Sequence, residues 1–404
     1  MSSITVQEAR NIIVSKLKAL PAESVPVAHA KGRILAEDIV SPVDIPAYTN
    51  SAMDGFALSA AQINSAAPAG LRIAGEALAG HPFSGSVREG ETIRITTGAA
   101  VPDWAAAVIP FEKVTEKDGV ITLPAGAAKP GANIRRQGEL LRKGDAALAR
   151  GRRLSRADIA LAASLGLASV SVAQTPVVSL LVTGDELVQP GEPCPEGKIY
   201  DANTLALQTL IESAGGLCQN FGIIPDDPKA MSEALDAALR VSNLIILSGG
   251  AADSKADFSH QLISSRGVIE PWTVNMRPGR PMRFGMLEGV PVFILPGNPV
   301  AAFVTFLEFA RGALLAMQGA TEIWPAEIKA IADCDIKTKP GRAEFARGTV
   351  RFEAGRILAR PLASQSSASL TGVAESNAIL AVGHEESIHA GETVRVQLLE
   401  SLLG

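Results

Sequence analysis

The sequence predicts an α/β and β multidomain protein. Its 404 residues suggest two to four domains, at about 150 residues per domain. Strand–loop–helix units alternate between Thr175 and Gly319, which predicts a doubly wound parallel sheet. Short strands broken by Gly and Pro predict a β-rich domain from about Leu71 to Ala149. Helical periodicity disappears after about Ile323, so a C-terminal β-barrel or sandwich is expected.

The first predicted element is an amphipathic helix within residues 1–20. Thr5 and Glu8 have the spacing of a capping box. The apolar residues on one side of this helix are Ala9, Ile12, Ile13, Leu17 and Leu20. The segment lacks the apolar region of a signal peptide, and no apolar run approaches the ~20 residues that cross a bilayer. We therefore expect a cytoplasmic protein without a membrane partner.

An extended connector is predicted at Ser41–Pro46, where two prolines flank an Asp. The strands predicted after it are Thr92–Thr96, Ala107–Phe111 and Val120–Leu123, the last preceded by a Lys117-Asp118-Gly119 turn. Ser155, with Asp158 three residues later, is expected to cap a helix that runs to about Gly166.

The α/β region alternates buried strands with helices. Apolar runs predict strands that are covered on both faces, at Val177–Val182, Leu244–Leu247 and Val292–Leu295. Helices are predicted at Asn203–Ala214, at Asp226–Leu239 and after Pro299. In the C-terminal region, Thr349–Phe352 and Ile357–Pro361 flank Glu353-Ala354-Gly355 and predict a hairpin.

Composition argues against two classes of function. The net charge is −5 and aromatic residues make up 4% of the chain, whereas nucleic-acid binding favours clustered cations and aromatic platforms. The three cysteines and five histidines show no ligand spacing. A disulfide framework and a transition-metal site built from protein ligands are therefore not expected.

Each predicted parallel strand ends in a glycine-containing loop. These loops are Thr183-Gly184-Asp185-Glu186, Ser248-Gly249-Gly250 and Pro296-Gly297-Asn298-Pro299. Ligands of open α/β sheets bind beyond the carboxyl ends of the strands, and glycine lets the backbone approach an anion closely. A tight turn alone would also use glycine, but three such loops in succession favour an anion site. The chain has no dinucleotide-binding glycine motif and no P-loop.

Carboxylates follow the same loops. Asp185 and Glu186 come after the first strand, Asp226 and Asp227 precede a helix, and Asp253 and Asp257 follow the second glycine loop. Several carboxylates beside bound phosphate suit Mg²⁺. As an alternative, Asp226 or Asp227 only caps the helix.

Arginines and a lone aspartate complete the candidate residues. Arg277 and Arg280 lie on a Pro-Gly turn, followed by Arg283, and two planar guanidinium groups there can face one anion. A solvated basic loop is the alternative. Asp54 follows the proline connector, and its local sequence alone predicts a turn residue.

Four ordered stretches resemble the molybdenum insertase family, which includes bacterial MoeA and the E domain of gephyrin. The stretches are Asp44–Leu58 (DIPAYTNSAMDGFAL), Thr183–Thr204 (TGDELVQPGEPCPEGKIYDANT), Met276–Pro281 (MRPGRP) and Leu295–Phe306 (LPGNPVAAFVTF). The resemblance runs from the N-terminal helix to the C-terminal β domain.

The resemblance implies four domains. These are a discontinuous helical linking domain of residues 1–45 plus 141–174, an inserted β-rich domain of 46–140, a MogA-like α/β domain of 175–322 that binds molybdopterin, and a C-terminal β-barrel of 323–404. It also implies a homodimer whose active site lies in a cleft between protomers.

The implied reaction inserts molybdate into the dithiolene of adenylylated molybdopterin with Mg²⁺ and releases AMP and molybdenum cofactor. The metal is then held by sulfurs of the pterin rather than by the protein. The implied partners are a MogA-like molybdopterin adenylyltransferase and molybdoenzyme apoproteins or their chaperones.

The resemblance also assigns site residues. It implies catalytic roles for Asp54, Glu186, Asp226 and Asp257, with Glu186 and Asp226 serving Mg²⁺. The residues implied to bind substrate are Thr183, Gly184, Asp185, Ser248, Gly249, Gly250, Arg277, Arg280, Pro296, Gly297, Asn298, Arg347 and Ser367.

The chain departs from the family pattern at four places. Leu140 stands where the family usually has an Asp, Thr273 where it commonly has a Lys, and Ala301 where it often has a Ser. The loop of residues 251–256 differs as well and adds Lys255. These departures leave open the alternative of a non-catalytic paralogue that binds molybdopterin or a partner as a carrier or scaffold.

Overall fold

The computed structural model describes residues 2–64, 69–249, 258–338, 341–383 and 387–399, without the side chains of 258–260. The chain forms two compact units. The first unit comprises residues 1–37, 150–160 and 168–404, and the second comprises residues 38–149 and 161–167. This division into two units does not test the boundaries of the four predicted domains, which stay a prediction.

A six-stranded sheet forms the centre of the first unit. In spatial order its strands are Leu217–Ile224, Val177–Thr183, Leu244–Ser248, Val290–Leu295, Arg283–Leu287 and Gly267–Ile269. The first four pair in parallel, as predicted, and their carboxyl ends meet at one edge. Strand pairing is antiparallel at the other end of the sheet, where the strands Arg283–Leu287 and Gly267–Ile269, which the sequence analysis did not predict, extend it. The two-residue turn Glu288-Gly289, with both φ positive, creates this hairpin.

Helices cover both faces of this sheet, which confirms the doubly wound prediction. They are Asn203–Ser213, Pro228–Leu239, Phe258–Arg266 and a continuous helical stretch built from Pro299–Thr305, a π-helical turn Phe306–Ala310 and Arg311–Met317. Alternate residues of one strand serve opposite cores: Leu180 packs in the larger cluster and Leu181 in the smaller one.

The stretch Pro299–Met317 is long and apolar enough to cross a membrane by length and composition. However, 89% of its apolar window is buried inside the protein. It packs with the sheet in the larger apolar cluster, which also includes Phe345 and Ile379 of the C-terminal strands. We conclude that this stretch is a core helix of the first unit.

The C-terminal strands form a closed five-stranded barrel, as predicted. Around the barrel these strands are Ala343–Glu353, Arg356–Pro361, Ile328–Ala332, Thr393–Leu398 and Ala378–Val382. The first and last of them pair and close it. The short strand Met276–Arg277 pairs with Ala343–Glu344 and brings the arginine turn to the barrel. A short helix, Leu370–Ala374, precedes the barrel strand Ala378–Val382 in the chain.

The N-terminal helix spans Val6–Ser15, with the predicted capping box at Thr5 and Glu8. It ends before Leu20, because the Leu20 N–H donates to the Met317 carbonyl, at 2.8 Å, and Pro21 follows. The remaining short elements of the first unit are the strands Ser2–Ile4, Ala22–Pro26, Ser169–Ala173, Leu187–Val188, Ile199–Tyr200 and Trp272–Val274, and the 3₁₀ turn Val27–His29.

The second unit is built on another six-stranded sheet. Its strands, in spatial order, are Ala105–Pro110, Gly55–Ser59, Glu91–Ile95, Ala69–Ala77, Val120–Leu123 and Thr115–Lys117. Four two-residue or three-residue strands and two short helices complete it: Ile39–Val40, Asn50–Ser51, Ile134–Arg135, Ala146–Leu148, Ala60–Ile63 and Phe111–Lys113. The helix Arg156–Ser164 is assigned to the first unit up to residue 160 and to the second unit from residue 161. It carries the predicted Ser155–Asp158 cap, with a Ser155 N–Asp158 Oδ2 distance of 2.8 Å.

Candidate functional site

Two neighbouring cavities lie in the first unit, at the carboxyl ends of the parallel strands. The strand-end cavity has a volume of about 610 Å³ and is lined by the loops after Val177–Thr183, Leu244–Ser248 and Val290–Leu295. The barrel-side cavity has a volume of about 380 Å³ and lies between the arginine turn and the barrel. Both cavities are lined by Pro281, Pro296 and Asn298, which therefore form a shared wall.

The strand-end cavity is lined by most of the loop residues that were expected to bind substrate or Mg²⁺. Those that line it are Thr183, Gly184, Glu186, Asp226, Ser248, Gly249, Pro296, Gly297 and Asn298. Asp185 is adjacent to these residues but is not part of the lining. Gly250, Asp253, Asp257 and the divergent loop 251–256 lie outside the described residues.

The first two glycine loops are packed so closely that one glycine is required. Gly249 has φ of +105°, and a Cβ built on it would lie 2.5 Å from the Thr183 hydroxyl oxygen and 2.8 Å from the Thr183 carbonyl oxygen. The side chain of any other residue would separate the loops. Backbone contact between the loops therefore fixes the width of this part of the cavity.

The two adjacent aspartates before the helix Pro228–Leu239 have different partners. Asp227 is the N-cap, and its carboxylate accepts from the Ala230 N–H at 2.8 Å. Asp226 lines the cavity and forms a reciprocal pair with Asp185. The Asp226 N–H donates to Asp185 Oδ1 at 3.1 Å, and the Asp185 N–H donates to Asp226 Oδ2 at 3.4 Å. Helix capping therefore explains Asp227 but not Asp226.

Asn203 is a site residue to which sequence reasoning gave no role. It begins the helix Asn203–Ser213, is 7% exposed, and lines the strand-end cavity. Its side-chain nitrogen donates to Ser248 Oγ and to the Gly297 carbonyl, both at 2.8 Å. One carboxamide thus bridges two of the glycine loops. The available sequence signal was a carboxamide residue at the first position of the predicted helix Asn203–Ala214.

The barrel-side cavity is rich in arginine. Arg277, Arg280, Arg342 and Arg347 line it together with one carboxylate, Glu344. The distance from Arg277 Nη1 to Glu344 Oε2 is 3.5 Å. Within the part of the chain that the structure describes, Arg280 and Arg342 make no side-chain hydrogen bond or ion pair. Positive charge therefore exceeds negative charge in this cavity, which favours an anion.

Arg347 is held by carbonyl groups rather than by a carboxylate. It is 2% exposed, and its guanidinium donates to the carbonyls of Ser369 at 2.8 Å, Ser364 at 3.2 Å and Ser366 at 2.9 Å. Burial lowers the pKa of this guanidinium below its usual value, although an arginine remains charged. The charged Arg347 side chain therefore orders the serine-rich loop of residues 364–369. It also contributes positive potential to the barrel-side cavity.

Gln365 is a second residue that sequence reasoning missed. Its amide accepts from the Arg347 N–H at 2.9 Å and donates to the Arg347 carbonyl at 2.8 Å. The same loop places Ser367 at the cavity, where its hydroxyl accepts from the Asn298 side chain at 3.3 Å. Arg347, Gln365 and Ser367 thus belong to one hydrogen-bonded loop.

Asp54 lies in the second unit and is exposed. Its Oδ1 accepts from the Thr97 N–H at 2.6 Å and from the Thr97 hydroxyl at 2.9 Å. The hydrogen bond from the Thr97 N–H has the largest effect on the pKa of the Asp54 carboxyl and lowers it, and the bond from the Thr97 hydroxyl lowers it further. Asp54 is therefore an ionised, oriented carboxylate at neutral pH.

The described departures from the family pattern have different surroundings. Leu140 is 72% exposed and lies in the second unit. Thr273 is in the strand Trp272–Val274 and pairs with Ser3. Ala301 is 5% exposed and lines the barrel-side cavity. Of these three residues, Ala301 alone lines either of the two cavities described above.

Across the described ranges, no group of three or more His, Cys, Asp and Glu residues could hold a metal ion. Glu186 and Asp226 nevertheless both face the strand-end cavity. Gly184 makes room for the Glu186 carboxylate, because a Cβ at Gly184 would lie 2.7 Å from Glu186 Oε2. Two carboxylates beside an anion pocket fit Mg²⁺, which takes its other oxygen ligands from phosphate and water.

Three family models match consecutive parts of the chain. Residues 4–166 match the MoeA N-terminal region (domain I and II), residues 179–316 match a probable molybdopterin binding domain, and residues 329–399 match the MoeA C-terminal region (domain IV). The matches follow the same order as the predicted domains.

Full-length relatives agree with these matches. The chain is 36% identical over 407 residues to a molybdopterin molybdenumtransferase of Haemophilus influenzae, covering 99% of this chain and 100% of the relative. It is 31% identical over 404 residues to molybdopterin molybdenumtransferase 2 of Mycobacterium tuberculosis, covering 97% and 98%. A crystal structure of the molybdopterin biosynthesis protein MoeA from Pyrococcus horikoshii OT3 superimposes with a TM-score of 0.85 at 32% identity, covering 98% of this chain and 100% of that one.

Proposed function

The chain belongs to the MoeA family of molybdenum cofactor biosynthesis, and we propose that it works as a molybdopterin molybdenumtransferase with its two substrates in the two adjoining cavities. The reaction inserts molybdate into the dithiolene of adenylylated molybdopterin and releases AMP. The observation that carries this proposal is a carboxylate-lined cavity that shares a wall with an arginine-lined cavity. One cavity suits a metal-bridged phosphate, and the other suits a free oxyanion.

We assign the adenylyl phosphate group to the strand-end cavity. The glycine loops offer close backbone approach, and Ser248 lines the same space. Glu186 and Asp226 would hold Mg²⁺ there, and the ion when bound would neutralise phosphate charge. Asp185 orients Asp226 through their reciprocal backbone–carboxylate bonds.

We assign molybdate to the barrel-side cavity. Arg277, Arg280 and Arg342 present guanidinium groups that match a tetrahedral oxyanion through paired N–H donors. Arg347 adds buried positive charge and orders the loop that carries Ser367. The shared wall keeps the two anions apart while allowing them to lie side by side.

Further parts of the proposal concern the assembly. We propose that Asp54 acts on the substrate from a partner protomer of a homodimer, and that Asp257 supports the loop after Ser248. A cytoplasmic location, a MogA-like adenylyltransferase as supplier, and molybdoenzyme apoproteins or their chaperones as receivers belong to the same proposal. The full-length similarity to molybdopterin molybdenumtransferases supports these assignments.

The test is formation of AMP and molybdenum cofactor from adenylylated molybdopterin, molybdate and Mg²⁺. We expect turnover by the wild-type chain and loss of turnover in Glu186→Ala and Asp54→Ala, with the oligomeric state unchanged. Tight binding of the adenylylated substrate by the wild-type chain without turnover would overturn the proposed activity. Full activity in both variants would show that the site is elsewhere.

A matched pair of arginines tests the molybdate assignment. Arg280→Ala should raise the molybdate concentration needed for half-maximal turnover by at least tenfold, because a charged hydrogen-bond donor is lost. Arg356→Ala removes an exposed arginine on the barrel hairpin and should leave this concentration unchanged. Equal effects of the two variants would contradict the assignment.

A further inference from the structure

We infer that Asn203 is a positioning residue that turns the Ser248 hydroxyl into a hydrogen-bond donor toward the phosphate in the strand-end cavity. The inference rests on the function proposed above, since it names how that cavity would select an anion. Asn203 does not need to touch the substrate for this role. It acts through Ser248 and through the Gly297 carbonyl.

The carboxamide of Asn203 is fully engaged on its donor side. Its nitrogen carries two hydrogens, and these go to Ser248 Oγ and to the Gly297 carbonyl, each at 2.8 Å. Asn203 is 7% exposed and Ser248 is 1% exposed, so water competes little for these bonds. The direction of the Asn203–Ser248 bond is therefore fixed: the amide donates and the hydroxyl accepts.

A serine hydroxyl has one proton, and the bond from Asn203 directs that proton elsewhere. In the described ranges, no residue accepts a hydrogen bond from the Ser248 hydroxyl. A buried donor that lacks an acceptor is costly, and a phosphate oxygen in the cavity would supply one. The arrangement favours ligands that accept hydrogen bonds at this point.

The hydrogen bond from Asn203 to the Gly297 carbonyl also favours an anion in the cavity. The Gly297 carbonyl lies in the loop that lines the cavity, and its oxygen carries partial negative charge. Because the oxygen accepts from Asn203, part of this charge is neutralised before an anion arrives. Both bonds therefore make the rim of the cavity more favourable to phosphate.

Asn203→Asp compared with Asn203→Ala separates this role from a merely structural one. At pH 8 the introduced carboxylate can only accept, so the Ser248 proton turns toward it and an extra negative charge faces the ligand. We expect Asn203→Asp to bind AMP with Mg²⁺ at least tenfold more weakly than Asn203→Ala at pH 8. Burial at this position should raise the pKa of the introduced carboxyl above its usual range. As the pH falls from 8 to 5, a growing fraction of this group therefore carries a proton and can donate again, so the difference between the two variants should shrink.

Other titratable groups lie beside this position and need a control. The described residues of the cavity lining that titrate are Glu186, Tyr200, Asp201 and Asp226. All are present in both variants, as is the phosphate of AMP, so their titration cancels in the ratio of the two dissociation constants. Calorimetric titration at pH 5, 6, 7 and 8 gives this ratio directly.

A second measurement tests the coupling to Ser248. Ser248→Ala should weaken AMP binding by about 10- to 100-fold, the usual effect of losing a hydrogen bond to a charged group. In a Ser248→Ala background, Asn203→Ala should have a clearly smaller effect than in the wild-type background. This result does not depend on Asn203→Asp folding well.

The outcomes distinguish this inference from the proposed function. If wild-type protein binds AMP and the Asp-to-Ala ratio is the same at every pH, Asn203 does not set the direction of the hydroxyl and the inference is wrong. Strictly additive effects of Asn203→Ala and Ser248→Ala also overturn it. Wild-type protein that binds no AMP overturns the proposed function and this inference with it.

Discussion

Asp226 and Asp227 are neighbours in sequence, and the structure predicts opposite consequences of changing them. Asp227→Ala removes the N-cap of Pro228–Leu239, in which the carboxylate accepts from the Ala230 N–H at 2.8 Å. Loss of such a cap costs about 1 kcal/mol of stability. In a domain of 150–250 residues this corresponds to a decrease of about 2–4 °C in Tm. Turnover should stay within about twofold of wild type, because Asp227 does not line the cavity.

Asp226→Ala should show the reverse pattern. It removes no cap, so we expect a change in stability of no more than about 0.5 kcal/mol, as for most exposed substitutions. It does remove a carboxylate from the strand-end cavity. If this carboxylate holds Mg²⁺, the loss should lower turnover on the order of 100-fold, since metal stabilisation of transition-state charge contributes several kcal/mol.

Two assays decide between the roles. Thermal unfolding followed by circular dichroism measures the cap, and AMP release over a range of Mg²⁺ concentrations measures the metal site. Asp226→Ala should also shift the Mg²⁺ concentration for half-maximal rate upward. The reasoning is refuted if Asp227→Ala lowers turnover as much as Asp226→Ala does, or if the Mg²⁺ dependence of the two variants is the same.

Three further predictions follow from individual contacts. Thr97→Val removes the hydrogen bond from the Thr97 hydroxyl to Asp54 and should raise the pKa of that carboxyl. The acid limb of the pH profile of kcat/KM should therefore move to higher pH. An acid limb that does not move would mean that Asp54 does not titrate in the reaction. Gly249→Ala forces a residue with a Cβ into φ of +105° and should cost about 1–3 kcal/mol in urea unfolding. Gly297→Ala, where the added Cβ would have only an ordinary contact at 3.7 Å, should cost clearly less. Burial raises the pKa of the Glu308 carboxyl to about 7. The free energy of unfolding of the wild type, measured relative to that of Glu308→Gln, should therefore fall as the pH rises from about 4.5 to 7. A difference between the two proteins that stays constant over this pH range would contradict this pKa.

The fold was largely predictable because its signals are local. Buried strands such as Val177–Thr183 are recognisable from apolar, β-branched runs, and Pro299 marks the start of a long apolar helix. The antiparallel end of the sheet was missed because Arg283–Leu287 and Gly267–Ile269 are short and carry mixed residues. Their place depends on pairing across the sheet, which short segments do not encode in their own sequence.

The candidate site was predictable where it follows from topology. Parallel strands end at one edge of a sheet, so Thr183, Ser248 and Pro296 had to come together. The sequence around Asp226 and Asp227 allowed either to be the cap, although Pro228 at the first helical position favours the residue directly before it. Only the contact with Ala230 separates the two roles.

The missed residues share one physical reason. Asn203 bonds to Ser248 and Gly297, which are 45 and 94 residues away in the chain. Gln365 braces Arg347 from 18 residues away, within a loop whose shape depends on that brace. Spacing rules describe neighbours on one helix or strand, so contacts between distant loops leave no pattern in a single sequence.

The shared wall sets a rule for ligands that would occupy both cavities at once. Two of its three residues, Pro281 and Pro296, have a backbone dihedral fixed by the ring, which makes the wall stiff. A bisubstrate inhibitor that joins a nucleotide to an oxyanion mimic would therefore need a linker that follows the surface of these three residues as it stands, because a stiff wall does not move aside to shorten the path. With a linker of that length, binding of the nucleotide half would hold the oxyanion half at a high effective concentration beside its own cavity, and the inhibitor would bind more tightly. An inhibitor with a shorter linker would bind no better than the nucleotide alone.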